Sequence, residues 1–357
     1  MIERATLRML RGAAAALDRA ATLAAYAQSA SRRRRSRSES LCHAERLEVL
    51  ARLAADYPEA ARASYFSAPQ RIEPVERSVR AGPAGVRIID LAWPSRYRPF
   101  AQHPELLERF ARHRENHVAA ARLFVSGRPR PVAILVHGYM AGQFAIEQRV
   151  WPVDWLQRIG LDVALFVLPF HAVRANPARR GAPPFPGSDP RMSNEGFRQA
   201  IADLGNLTHW LRERGHPAIG IMGMSLGGYT TALAATVDPD LAFAVPMIPL
   251  ASMADFARDQ RRLGTTRVEA EAQHAALDRV HRVVSPLHRA PLISPERVLV
   301  IGAKADRITP LSHAQRLARH FRAPLETWPG GHLLQVGRAE SFRRIGRMLE
   351  RLGLTTR

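Results

Sequence analysis

Nucleophilic catalysis needs a serine whose hydroxyl is exposed, a histidine to take its proton, and a carboxylate to orient that histidine. The run Gly223-Met224-Ser225-Leu226-Gly227-Gly228 supplies the first. It follows the apolar segment Ala218–Met222, which reads as a buried strand, and precedes Tyr229–Ala235, which reads as a helix. A G-x-S-x-G pattern also arises by chance, and a structural serine in a βα turn is the plain alternative. The strand before it and the helix after it favour a sharp elbow with Ser225 at its tip. The flanking glycines have a steric reason there, because strand and helix backbones pass too close for side chains.

The base and its orienting acid are sought at the ends of later strands. Of 14 histidines, His332 stands out. It lies in Trp328-Pro329-Gly330-Gly331-His332, just past the last expected strand, in a glycine loop able to reach over a sheet. Asp306 follows the strand Val298–Ile301, where a loop can aim a carboxylate at the imidazole nitrogen facing away from serine. The alternative is a helix-start aspartate near Pro310. Asp255, after the preceding strand, is the reserve acid. Two backbone amides are expected to form the oxyanion hole. One is Leu226, immediately after the nucleophile. The other comes from His137-Gly138-Tyr139-Met140, after the first parallel strand, with Tyr139 favoured and Met140 as its neighbour. His137 itself reads as the group that orients this loop. His171 and Arg174 follow the second parallel strand. They fit either a substrate carboxylate or the ordering of the loop after it, with Arg174 paired to Glu195 or Asp203.

These residues need a scaffold. From Arg128-Pro129-Arg130-Pro131 onward, apolar strands alternate with helices at βα spacing, which predicts a mostly parallel sheet flanked by helices. The strands are Val132–Val136, Val163–Leu168, Ile219–Met222, Ala242–Pro246, Val298–Ile301 and an edge strand Leu325–Trp328. Helices are expected over Glu147–Ile159, Asn194–Arg214, Leu226–Thr236, Ser312–Arg322 and Arg338–Leu352. Upstream, Val86–Trp93 reads as a strand and His103–Ala120 as a helix. Two segments interrupt the alternation. His171–Met192 is a long proline-rich loop at a strand end, a usual place for function. Residues 251–292 are helical and charged, and read as either a small cap over the site or an elaborated helix away from it.

The first 60 residues read as an N-terminal helical extension, with residues 61–357 forming the main domain. Residues 1–30 have an amphipathic pattern, and Ser31–Ser40 is an arginine-rich linker. The linker is either a solvated connector or, with residues 1–40 as a basic arm, a peripheral contact with anionic lipid. Net charge is +20, from 52 Lys+Arg against 32 Asp+Glu. Lys304 is the only lysine, so the excess is almost all arginine spread over the chain. That distribution is a surface bias rather than a nucleic-acid readout module, and no nucleic-acid partner is expected. The lone Cys42 allows no intrachain disulfide. No stretch approaches the roughly 18 apolar residues of a spanning helix, and Gly12–Leu17 is too short for a signal core, so a cytoplasmic protein is the default. No phosphate loop, dinucleotide fingerprint or metal-spaced cluster implies a cofactor or metal. Nothing specifies an oligomeric state.

Taken together, His137-Gly138-Tyr139-Met140, Gly223–Gly228, Asp306 and Gly331-His332 resemble the alpha/beta-hydrolase superfamily over residues 120–352. Leu168-Pro169-Phe170-His171-Ala172-Val173-Arg174 is similar to a less-characterised bacterial branch of it. The resemblance implies an alpha/beta-hydrolase fold and a cofactor-free serine hydrolase with catalytic Ser225, Asp306 and His332. A carboxylic ester or thioester is the expected small-molecule substrate, cleaved through an acyl-enzyme. The fold also hosts peptidases, acyltransferases and catalytically silent binding proteins, which remain alternatives. A histidine base further predicts activity that fails in acid, where an ordinary imidazole takes a proton near pH ~6.5.

Overall fold

The computed structural model describes residues 9–20, 41–178 and 181–355. Among the described residues nine strands form one sheet: β1 (Val75–Ala81), β2 (Arg87–Pro94), β3 (Val118–Val125), β4 (Val132–Val136), β5 (Asp162–Phe166), β6 (Ile219–Met224), β7 (Phe243–Met247), β8 (Val300–Ala303) and β9 (Leu325–Trp328). Their order is β1-β2-β3-β5-β4-β6-β7-β8-β9. The first three strands and β5 pair antiparallel, and every pairing from β5–β4 onward is parallel.

The parallel strands are buried on both faces, which is why they read as unbroken apolar runs rather than alternations. Ile134, Val136, Ala164, Phe166, Ile219 and Ile221 face a core shared with the helices Pro190–Glu213, Leu226–Ala234 and Leu311–Phe321. Ala133, Leu135, Val163, Leu165, Met222 and Met224 face the other way, onto Leu156 of Val153–Arg158 and onto Phe342, Ile345 and Leu349 of Arg338–Arg351. Register aligns the strand ends. Val136 of β4 sits opposite Phe166 of β5 and Gly223 of β6, so the loops that follow these strands leave from one edge.

Two expected helices differ. The helix expected over His103–Ala120 stops at Arg112, and residues from Val118 enter β3. Alanine favours helix, but Ala119–Ala121 pair with β2 on one side and the strand runs beside β5 on the other. Pairing on both edges overrides local propensity. The helix expected over Glu147–Ile159 is two, Phe144–Val150 and Val153–Arg158. Pro152 lacks an N–H and pushes Trp151 into extended geometry, with ψ 144°. β1 lies in a stretch where no strand was expected.

The proline-rich loop is anchored through Phe185, which is buried against Phe170, His171 and Phe197. Residues 251–292 form the helices Met253–Asp259 and Arg267–His281 with short 3-10 turns after them. This insertion packs on the extension helix His43–Ala55: Gln273 Nε2 lies 3.1 Å from His43 Nδ1, and Arg46 donates to the Arg262 carbonyl. Its other end reaches the Asp306 loop, where Gln260 Nε2 donates to the Ile308 carbonyl at 3.1 Å. Residues 9–20 are helical. The remainder of residues 1–40, including the arginine-rich linker and most of the proposed lipid-contacting arm, lies outside the described residues. Among the described residues no helix is long and apolar enough to cross a membrane.

Candidate active site

Ser225 occupies the turn between β6 and the helix Leu226–Ala234 with φ 56° and ψ −113°. A non-glycine residue at positive φ is strained, and such strain persists only where the surroundings fix it. Here the Ser225 amide donates to the Met247 carbonyl at 2.9 Å and its carbonyl accepts from Tyr229 at 3.0 Å. The glycines permit the crossing. A Cβ at Gly223 would lie 2.1 Å from the Gly227 carbonyl oxygen, and one at Gly227 would lie 2.1 Å from that of Val136. Ser225 is half-buried, and among the described residues its hydroxyl makes no hydrogen bond. Catalytic hydrogen bonds are commonly long until substrate is in place.

The loops carrying Asp306 and His332 leave β8 and β9 side by side. Lys304 donates to the Trp328 carbonyl at 2.9 Å and Ala305 to that of Gly330 at 3.0 Å, extending the strand pairing beyond both strands. His332 Nδ1 then meets Asp306 Oδ2 at 2.7 Å. Asp306 Oδ1 accepts from the Ile308 and Thr309 amides, each at 2.8 Å, so the carboxylate is held by two backbone donors with Oδ2 aimed at the ring. Thr309 Oγ1 lies 3.0 Å from both Asp306 Oδ2 and the Ile248 carbonyl. With Nδ1–H on the carboxylate, His332 Nε2 keeps its lone pair for a proton. The loop also turns back to the elbow: Gln335 Nε2 contacts Met224 Sδ at 3.8 Å, one residue before Ser225.

On the far side of the elbow is the loop after β4. His137 is fully enclosed. Its Nε2 accepts from the Leu168 amide at 3.0 Å, so the proton is on Nδ1, which donates to the Gly138 carbonyl at 2.7 Å. Burial, with His171 and then Arg174 nearby, pushes His137 down to about 3, so the ring is neutral across the physiological range. Gly142, at φ 104°, wraps this ring so closely that a Cβ would lie 2.5 Å from Nε2. Met140 is left-handed at φ 62°. Gly138 passes beside Ser225, its notional Cβ 3.6 Å from the serine Cβ. The amide of Leu226 opens a helix, where N–H groups have no intrahelical partner. Tyr139 Oη donates to the Pro183 carbonyl at 3.3 Å, joining this loop to the proline-rich one.

Comparison with known proteins agrees with this architecture. A crystal structure of acetyl xylan esterase 1 from Thermoanaerobacterium superposes with TM-score 0.55 at 17% identity, over 82% of this chain and 94% of that one. An acetyl xylan esterase from Paenibacillus superposes with TM-score 0.52 at 16% identity, over 81% and 99%. The chain is an alpha/beta-hydrolase-fold protein. The family model of the prolyl oligopeptidase family matches residues 198–327, which include Ser225 and Asp306 and end before His332. An uncharacterised protein of Mycobacterium tuberculosis is 30% identical over 232 residues. That match takes in 63% of this chain and spans 55% of the relative's length.

Within the alpha/beta-hydrolase fold, the other residues singled out from sequence fall in different places. Arg174 is buried and turned inward. Its guanidinium donates to Asp203 Oδ2 at 2.7 Å and to the Asn116 and Val167 carbonyls at 3.1 and 3.2 Å. Of the two readings of Arg174 the structure shows the internal pairing with Asp203, which braces the β5 exit against the helix Pro190–Glu213, and corrects the substrate-binding one. His171 is buried beside His137, Tyr139 and Phe185 as part of the wall behind the His137–Met140 loop, with no surface to offer a substrate carboxylate. Asp255 is directed at Arg258, His274 and Arg316, away from His332. Cys42 is exposed, at the start of the extension helix. Sequence reasoning missed Thr309, Gln335 and Asp18. The first two sit within three residues of Asp306 and His332 and were open to a closer local reading. Asp18 comes from the far end of the chain and left no local signal.

Proposed function

We propose that the protein is a serine hydrolase that cleaves a carboxylic ester or thioester. The observation carrying this reading is the 2.7 Å contact between Asp306 Oδ2 and His332 Nδ1, in a loop that reaches back to the strained Ser225 elbow. Ser225 Oγ attacks the carbonyl carbon while His332 Nε2 takes its proton. Asp306 keeps the proton on Nδ1 and stabilises the imidazolium. The amides of Leu226 and Tyr139 receive the oxyanion. Collapse of the tetrahedral species expels the alcohol or thiol, protonated by His332, and leaves the acyl group on Ser225. Water activated by the same imidazole then releases the acid. Exposed Tyr139, Met140, Leu333 and Leu334 at the loop tips fit an uncharged substrate.

The test is labelling of the full chain by a fluorophosphonate probe, followed by a panel of p-nitrophenyl esters. Labelling that disappears in Ser225→Ala is expected. Folded wild-type protein that neither labels nor hydrolyses any ester would sink the reading in favour of a binding protein. A peptidase is the second reading, supported by the prolyl oligopeptidase family match. It gains the lead if peptidyl p-nitroanilides are turned over faster than the esters.

A further inference from the structure

The helix over residues 9–20 precedes the sheet and the rest of the candidate site in the chain. Met9 and Leu17 on it are exposed, yet Ala14 and Asp18 are fully buried. A carboxylate taken out of water is costly unless hydrogen bonds replace its hydration. The partners of Asp18 therefore show what this helix engages. Asp18 Oδ2 accepts from the His332 amide at 2.8 Å and the Arg307 amide at 3.2 Å, and Oδ1 accepts from the Leu333 amide at 3.0 Å. Two of these donors belong to the loop that carries His332. The third immediately follows Asp306. Gly331 permits the approach, since a Cβ there would sit 2.7 Å from Asp18 Oδ2 and 3.2 Å from Ala14 Cβ.

We infer that Asp18 is a positioning residue for the acid–base pair, and that docking of this helix sets the turnover of the site. The inference rests on the serine hydrolase reading. Its physical basis is leverage. The His332 loop is closed by short internal bonds, Gly331 to the Leu334 carbonyl and Gly330 to that of Val336, and it is joined to the Asp306 loop at its base by the Ala305 amide on the Gly330 carbonyl; beyond that point Asp18 bridges the two backbones. Asp18 is a group outside both loops that holds their backbones together. Placement errors of about 1 Å in such a group can cost about 10²-fold in rate.

The test compares full-length wild type and Asp18→Ala by kcat and KM on p-nitrophenyl acetate, by thermal midpoint, and by deuterium exchange in peptides covering residues 330–336. Asp18→Ala is expected to lower kcat by about 10- to 100-fold, to leave KM within about twofold, and to speed exchange at residues 331–333. Asp18→Asn keeps one acceptor oxygen and should recover part of kcat, a rescue that general destabilisation would not produce. Wild-type kcat in folded Asp18→Ala overturns the inference. If Asp18→Ala does not fold, Ala14→Leu takes its place: it overfills the contact with Gly331 and leaves the carboxylate, and it should lower kcat in the same way. A wild type that neither labels nor hydrolyses overturns the hydrolase reading instead; unchanged exchange in Asp18→Ala would then reject the clamp separately.

Discussion

A carboxylate that orients a histidine is worth far more than its charge, because it decides which ring nitrogen carries the proton. Asp306 has the geometry for that, and Asp255 does not. Asp306→Asn keeps the size of the side chain but offers an amide where the imidazole needs an acceptor. It is expected to lower kcat by about 10⁴-fold, measured on the best ester of the panel. Asp255→Asn should leave kcat within about twofold and lower the thermal midpoint, since Asp255 joins Arg258, His274 and Arg316 across the insertion. Full activity in Asp306→Asn would sink the assignment. The candidate residues could be singled out from sequence because each is announced by its neighbours: Ser225 by glycines, His332 by Gly330-Gly331, Asp306 by the strand before it. The role of Arg174 was not announced in this way. From sequence its position after β5 admits either substrate or an internal partner, and the fold brings Asp203 to it.

At the scale of elements, that buried ion pair sets where the chain leaves β5. Arg174 ties the β5 exit to the helix Pro190–Glu213, and Ser95 Oγ adds a hydrogen bond to Asp203 at 2.8 Å. Burial alone would push Asp203 up and Arg174 down, each toward neutrality, and their mutual attraction opposes it. Removing one partner strands the other charge in the interior. Arg174→Ala is therefore expected to cost about 3–5 kcal/mol in urea unfolding, while Arg174→Met with Asp203→Leu should recover most of it. A loss below about 1 kcal/mol in the single variant would show that the pair is not a brace. The same contrast explains which elements could be read in advance. β4 matches its expected bounds as a continuous apolar run, and β9 does so as a short run bounded by Pro324 and Pro329. β3 was hidden because an alanine-rich segment becomes a strand only through neighbours far away in the chain. The break at Pro152 was visible in the residue itself but was outweighed by the apolar periodicity around it.

For the molecule as a whole, acid acts on folding through histidines that are buried neutral. His137 is pushed down to about 3 by burial, with His171 and Arg174 adding to the effect. His281 is pushed down to about 4 by burial, against the opposing pull of Asp278, and its Nδ1 donates to Asn194 Oδ1 at 2.7 Å. Both groups take up protons more readily in the unfolded chain, whose imidazoles titrate near 6.5. Between pH 6.5 and these lower values the unfolded state binds more protons, so stability rises with pH across that window and is lost as pH falls through it. Each such group weakens folding by about 1.4 kcal/mol per pH unit inside the window. A net charge of +20 adds self-repulsion in the same direction as carboxylates become protonated. The thermal midpoint is therefore expected to stay level from pH 8 to 7 and to fall steeply from pH 6 to 4.5, with the slope reduced in His281→Gln. A midpoint that holds level down to pH 4.5 would mean that these histidines take up protons in place, and the neutral His137 that holds the His137–Met140 loop would go with them. The midpoint must be measured beside the rate. Activity that is lost before the midpoint moves points to protonation of the base in the folded protein, and activity that falls only with the midpoint points to unfolding.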